Sequence, residues 1–208
     1  MPILTEHWDR VHTARDETAL TWHQDDPQPS LDLIAARLQP GQAMIDVGGG
    51  SSRLVDALLA CGLGPVTVLD LSNAALARSR DRLGAQAKDV TWIAADATRW
   101  TPPARYHLWH DRAVFHFLTD DADRAAYLQR LCAALEPGGT LVMSTFAEDG
   151  PETCSSLPVQ RYSPAELTEM LARHLPGLLE PLQALHHDHV TPRGLIQRFQ
   201  TSVLLRKG

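Results

Sequence analysis

The stretch Ile45-Asp46-Val47-Gly48-Gly49-Gly50-Ser51-Ser52 constrains this chain more than any other. An apolar run from Ala43 to Val47 ends in three glycines and two serines, and an apolar-periodic segment, Leu54 to Leu59, follows at once. That order reads as strand, tight turn, helix. Further along, a second apolar run, Val66-Thr67-Val68-Leu69, ends in Asp70. Glycines let the backbone come close to a ligand, and an acid at the end of the next strand accepts hydrogen bonds from ribose hydroxyls. The pair is what an adenosine-containing cofactor needs.

Around this turn, strand-like and helix-like segments alternate. Strands are predicted at 43–47, 66–70, 90–94, 106–110 and 139–146, and helices at 51–61, 73–84, 122–135 and 163–174. An earlier helix, Leu31 to Leu38, has Ser30 as its expected N-cap and stops at Pro40-Gly41. Ser72 or Asn73 caps the helix at 73, and Pro137-Gly138-Gly139 is a turn launching the fifth strand. Such alternation implies a parallel sheet with helices on both faces. The tail departs from it: segments near 180–190 and 195–206 are both strand-like, and Thr191-Pro192-Arg193-Gly194 lies between them. Strands joined by so short a turn run antiparallel. The expectation is therefore an α/β, Rossmann-like open sheet, mostly parallel, closed by a C-terminal antiparallel hairpin.

The 208 residues are expected to form a single domain. Its parts are an N-terminal lid (1–30), a cofactor-binding core (40–147), and a substrate loop with the closing hairpin (148–208). Within the lid, Glu17 to Gln24 would let Trp22 cover the cofactor, unless Trp22 simply fills a core edge. Composition is ordinary for a soluble globular protein, with 44% hydrophobic and 21% charged residues. A net charge of −6 argues against nucleic acid as a partner. Arg78, Arg80 and Arg82 alternate with Asp81 and read as a solvated helix face. No apolar run approaches the ~18 residues that span a bilayer, so no membrane is expected.

Cys61, Cys132 and Cys154 are odd in number and lack metal-ligand spacing, as in a reduced cytoplasmic protein. Cys61 and Cys132 fall on helical apolar faces and are assigned to the core. Cys154 either approaches the acceptor pocket or is a plain loop cysteine. His187 and His189 share one strand face at metal-ligand spacing, but histidines at the surface or supporting the site from behind its wall are the preferred reading, and no metal is expected. The expected partner is a small-molecule acceptor, and the expected state a monomer or homodimer.

Two hallmarks of dinucleotide binding are missing. A GxGxxG pattern needs glycine where Arg53 stands, and Asp46 would repel a pyrophosphate. A cationic, phosphate-free ligand suits both facts, and S-adenosylmethionine is one. Here the sequence resembles the class I S-adenosylmethionine-dependent methyltransferases over roughly residues 40 to 147. Its motifs match in order: the glycine loop at 45–52, Val68-Leu69-Asp70-Leu71-Ser72, Ala94-Ala95-Asp96-Ala97-Thr98, and Leu135-Glu136-Pro137-Gly138-Gly139-Thr140-Leu141. The resemblance implies that Asp46 and the backbone of Gly48, Gly49, Gly50 and Ser51 hold the methionine part. It implies that Asp70, followed by Leu71, takes the ribose hydroxyls. Asp96 would bond the adenine amino group, with Ala97 beside the ring. It also implies a seven-stranded sheet.

Methyl transfer from a sulfonium is an in-line displacement that needs alignment and, for some acceptors, removal of a proton. Reacting groups are expected just past the fourth strand, in Trp109-His110-Asp111-Arg112-Ala113-Val114-Phe115-His116-Phe117-Leu118. His110, Asp111 and His116 are the candidate bases or substrate positioners, with Asp111 alternatively pairing with Arg112 or orienting the loop. The Asp-Arg-Ala segment, Arg124-Ala125-Ala126-Tyr127 and Gly150-Pro151 resemble the thiopurine and thiol methyltransferase branch. That branch has an aromatic after Gly-Pro, and this chain has Glu152-Thr153-Cys154 instead. A thiol of pKa ~8.5 needs only about 2 kcal/mol to deprotonate at neutral pH, against nearly ~5 for an amine. Sulfur or another soft nucleophile is the favoured acceptor atom. The alternatives are a protein lysine methyltransferase, or a cofactor-binding module without turnover. A nicotinamide-dependent reductase is disfavoured by Asp46 and Arg53.

Overall fold

The computed structural model describes residues 2–208. Helix α1 (Pro2–Ala14) and helix α2 (Ser30–Ala35) precede an alternating core. The core runs β1 (Met44–Val47), α3 (Leu54–Ala60), β2 (Val66–Asp70), α4 (Asn73–Leu83) and β3 (Val90–Ala94). It continues with β4 (Tyr106–Arg112), α5 (Asp121–Ala134) and β5 (Leu135–Phe146). A two-strand flap, β6 (Thr153–Cys154) and β7 (Leu157–Pro158), leads to α6 (Pro164–His174), β8 (Leu179–Val190) and β9 (Ile196–Arg206).

Seven strands form one sheet in the order β3-β2-β1-β4-β5-β9-β8. β1 is parallel to both β2 and β4, and β9 is antiparallel to β5 and β8. The expected α/β sheet with its C-terminal antiparallel hairpin is thus observed. Strand order reverses at β1 and β4, the place in an open sheet where a crevice forms beyond the strand ends.

Successive strand residues face opposite sides of the sheet, and this periodicity sorts the core into two layers. Ile45, Val47, Trp109, Leu141 and Met143 pack with Tyr127, Leu128 and Leu131 of α5 and Leu167, Met170 and Leu171 of α6. Met44, Val66, Val68, Leu108, Val142 and Val203 pack with Leu33, Ile34, Leu54, Leu58 and Leu76 of α2, α3 and α4. The same alternation places Asp46, His110 and Arg112 on the α2–α4 side and Asp111 on the α5 side.

Several local expectations change. The predicted lid contains a full helix, α1, whose Asp9 Oδ1 accepts from the Ser72 hydroxyl (2.6 Å) and the Ala74 N–H (3.2 Å). Ser30 is the first residue of α2 rather than its cap, and its hydroxyl is turned into the sheet. The helix expected from 51 begins at Leu54, because the glycine loop continues through Ser51 to Arg53. Ser72 is the cap of α4, accepting from the Ala75 N–H. β4 extends to Arg112, two residues beyond its predicted end. β5 starts at Leu135 directly after α5, and its pairing with β4 jumps from Tyr106↔Leu135 to Leu108↔Thr140, so Pro137-Gly138-Gly139 is an interruption in a longer strand. Cys61, assigned to the core, is exposed at the end of α3. Arg82 is not a solvated cation: it binds Asp56 and Glu17 and the Ser52 carbonyl. Among the described residues no helix is long and apolar enough to cross a membrane.

Candidate functional site

A cavity of about 400 Å³ lies where β1, β2, β3 and β4 end. Its floor is the glycine loop. Gly48 has φ +74°, and a Cβ there would lie 2.1 Å from Val114 Cγ2. A Cβ on Gly49 would lie 2.2 Å from Asp46 Oδ2, and one on Gly50 2.5 Å from Asp70 Oδ2. Each glycine is therefore required by a neighbour that is itself part of the site.

Asp46 and His110 are register partners on adjacent parallel strands, so their side chains stand side by side. The His110 Nδ1–H donates to Asp46 Oδ1 at 2.7 Å, since a carboxylate there can only accept. His110 Nε2 lies 2.9 Å from the Ser30 hydroxyl. All three residues are buried. Asp46 Oδ2 is shielded from solvent and has no partner among the described residues. A buried carboxylate oxygen left unpaired is costly, and an ammonium or hydroxyl donor would relieve it.

The acid after β2 is held open by backbone donors. Gly50 N–H donates to Asp70 Oδ2 (3.0 Å) and Ser72 N–H to Oδ1 (2.8 Å). Burial pushes the Asp70 carboxyl up to about 6, against these two hydrogen bonds. Asp96, after β3, accepts from the N–H (2.9 Å) and hydroxyl (2.7 Å) of Thr98. Asp46, Gly48, Gly49, Ser51, Asp70, Leu71, Asp96 and Ala97 all wall the cavity. Gly50 does not, because its N–H is committed to Asp70.

The roof comes from the N-terminal segment and the flap. Trp22 walls the cavity, and its ring meets Trp8 edge-on at 5.7 Å, while Trp8 meets Phe117 at 5.2 Å. Glu17 ties this segment to the floor through Arg53 (2.6 Å) and Arg82 (3.0 Å). Arg53, which stands where a dinucleotide loop has glycine, is thus an anchor for the roof. Cys154 and Leu157 of the flap complete the wall, and burial pushes the Cys154 thiol up to about 11.

The candidate bases separate. His110 walls the cavity, whereas Asp111 and His116 do not. Asp111 points to the α5 side, fully buried, and accepts from the N–H groups of Val114 (2.9 Å) and Phe115 (3.1 Å) and from the Tyr127 hydroxyl. Trp109 Nε1 in turn donates to Tyr127 (2.9 Å). This corrects the expectation of a substrate-facing Asp111: it is off the cavity wall, does not pair with Arg112, and holds Tyr127 and Val114, which do line the cavity. His116 is fully buried, its Nδ1 accepts from the Phe146 N–H (3.3 Å), and burial together with the Arg112 charge pulls it down to about 3. Such an imidazole orients the turn after β4.

His187 and His189 of β8 stay off the cavity wall. His187 stacks on Phe199 at 5.5 Å, and His189 Nε2–H donates to the Thr21 carbonyl at 2.7 Å. The described residues contain no group of three or more side chains suited to a metal. Sequence reading missed Ser30, His12 and Trp8 as wall residues. Leu4, Trp8 and His12 recur at a helical spacing of four, a signal that would have exposed α1.

Residues 44–139 match a family described as a methyltransferase domain. A trans-aconitate 2-methyltransferase of Rhizobium meliloti (strain 1021) is 33% identical over 118 residues, covering 56% of this chain and 43% of that protein. The chain thus spans less than half the length of this curated relative. The solved Burkholderia thailandensis 1,6-didemethyltoxoflavin-N1-methyltransferase, with bound 1,6-didemethyltoxoflavin and S-adenosylhomocysteine, superposes with a TM-score of 0.73 at 21% identity, covering 100% of this chain and 86% of that one. A structure from work on conversion of a disulfide bond into a thioacetal group in echinomycin biosynthesis gives 0.77 at 22% identity, covering 98% and 93%.

Proposed function

We propose that this chain, whose residues 44–139 match a methyltransferase domain, moves a methyl group from S-adenosylmethionine to a small-molecule acceptor. The observation that carries the reading is Asp46 Oδ2, buried and unpaired beside a loop where every added Cβ would clash. That oxygen suits a cationic methionine moiety and would repel a phosphate. Asp70 would take the ribose hydroxyls, and Asp96 and Ala97 the adenine. When bound, the cofactor supplies a methyl carbon on a sulfonium, open to in-line displacement with a neutral thioether leaving.

The chain's own contribution is alignment and exclusion of water. His110 fixes Asp46 and is itself held by Ser30, so the floor is preorganised. Trp8, Trp22 and Phe117 close the roof. Burial pulls His12 of the roof down to about 4 and keeps Cys154 of the flap a thiol, so neither is a strong base. This supports an acceptor that is anionic or cheaply deprotonated at neutral pH, a thiol or another soft or anionic nucleophile, over an amine. The roofed cavity disfavours a protein lysine.

Calorimetry should give tight S-adenosylmethionine and S-adenosylhomocysteine binding and none for NAD. Label from the methyl group of the cofactor should then appear in the small-molecule fraction of a lysate. Binding of NAD in place of S-adenosylmethionine, or label confined to macromolecules, would sink the reading.

Cofactor affinity should also depend on pH. Asp70 accepts two hydroxyls best when ionised, and its carboxyl is raised to about 6. Affinity is therefore full above about 6 and falls as pH drops through it, by up to roughly tenfold per unit. Titrations at pH 5 and 7.5 giving the same Kd would contradict this role for Asp70.

A further inference from the structure

Arg112 is the last residue of β4 and shares a face with His110. It therefore sits ~7 Å further toward the strand end, outside the Asp46–His110–Ser30 cluster and toward the acceptor side. It is part of the cavity wall. Its guanidinium lies over the Phe199 ring at 4.9 Å, and Nη1 donates to the Trp22 carbonyl at 3.2 Å. Nε and Nη2, the remaining edge, are shielded from solvent and have no partner among the described residues. Among the described residues no carboxylate lies within salt-bridge distance of Arg112, whereas Arg53 and Arg82, on the cavity floor, are neutralised by Glu17 and Asp56.

Asp46 supports the Arg112 charge only through its field, from beyond salt-bridge distance, and fills neither donor of that edge. His116, His187 and His189 feel its positive field and are all pulled down, first by burial. Cys154 is held protonated by its own burial. Burial lowers Arg112 only to about 10, so it stays charged at neutral pH. A charged guanidinium with an empty two-donor edge is a poor structural element, because breaking or omitting the partner of a buried charge costs several kcal/mol. The Nε–Nη2 edge is also the fork that matches the two oxygens of a carboxylate.

We infer that the acceptor is a small organic carboxylate whose anionic group binds the Nε–Nη2 edge of Arg112, while its apolar body packs under Trp8, Trp22, Phe117 and Leu157. This deepens the methyltransferase reading and rests on it. The division of charge in the cavity follows: Asp46, Asp70 and Asp96 face the cationic cofactor, and Arg112 faces the anionic acceptor. Because Nη1 also holds the Trp22 carbonyl, acceptor binding and roof closure use one side chain.

The test uses the S-adenosylhomocysteine-loaded full chain and a panel of short aliphatic and aromatic carboxylic acids. Acids with and without a thiol are each set beside their primary amides. Calorimetry measures binding, and S-adenosylhomocysteine release from S-adenosylmethionine measures turnover. At least one acid should bind and turn over ~10-fold or more better than its amide, the discrimination expected of a charge-assisted pair. Arg112→Gln should erase that preference by raising KM for the acid while leaving S-adenosylhomocysteine affinity within about threefold, and Arg112→Lys should retain part of it. Amides equal to acids, no acid bound, or an acid preference that survives Arg112→Gln would overturn the inference. If Arg112→Gln fails to fold, the wild-type comparison of acids with amides decides alone. Failure of the underlying reading looks different: the wild-type chain would then not bind S-adenosylhomocysteine at all.

Discussion

Gly49→Ala is expected to weaken S-adenosylmethionine binding by two orders of magnitude or more. The new Cβ would lie 2.2 Å from Asp46 Oδ2, 2.7 Å from its Cγ and 3.0 Å from Val68 Cγ1. Asp46 cannot turn away, since Oδ1 is held at 2.7 Å by His110, which is held by Ser30. Val68 belongs to a fully packed layer. The loop itself must move, which withdraws the backbone that would face the methionine moiety and costs roughly 1–3 kcal/mol of stability, as overpacking does. Calorimetry with the cofactor and a thermal melt read the two consequences separately. An unchanged Kd would mean that the cofactor sits elsewhere.

The second large effect concerns Asp111, and it falls on stability instead of chemistry. Asp111→Ala strands the Val114 and Phe115 N–H groups and the Tyr127 hydroxyl in a fully buried site. Leaving several buried donors unpaired should lower unfolding free energy by roughly 3–5 kcal/mol, more than the sum of single losses because the groups form one network. Tyr127→Phe, which removes one member, should cost about 1–2 kcal/mol. Chemical denaturation gives both numbers. A stable Asp111→Ala protein that binds cofactor normally yet has lost turnover would restore the substrate-facing role.

What the sequence revealed and what it hid divide along a physical line. The glycine loop, the acids at 70 and 96, the Ser72 cap and the C-terminal hairpin are local patterns, and each stands where reading predicted. Period-two and 3.6-residue patterns are written in neighbouring residues and need no knowledge of the rest of the chain. The triad of Ser30, Asp46 and His110 joins residues 64 and 80 positions apart, so no window contains it. The candidates after β4 show an intermediate case. His110 and Asp111 are equal candidates by residue type, but adjacent strand residues cannot face the same side. Once Asp111 is committed to Tyr127, the alternation itself nominates His110 and Arg112 as the pair on the cavity face. The apolar pattern of β4 fades at His110 although the strand runs to Arg112, so alternation along the sequence does not reach Arg112.

The N-terminal segment has a kinetic consequence. Through Asp9 it grips the start of α4 beside Asp70, through Glu17 it grips Arg53 of the glycine loop, and through the Trp22 carbonyl it grips Arg112. Under the proposed function these are the neighbourhoods of ribose, methionine and acceptor, so one stretch of chain borders all three, and its opening is expected to contribute to the rate at which products leave.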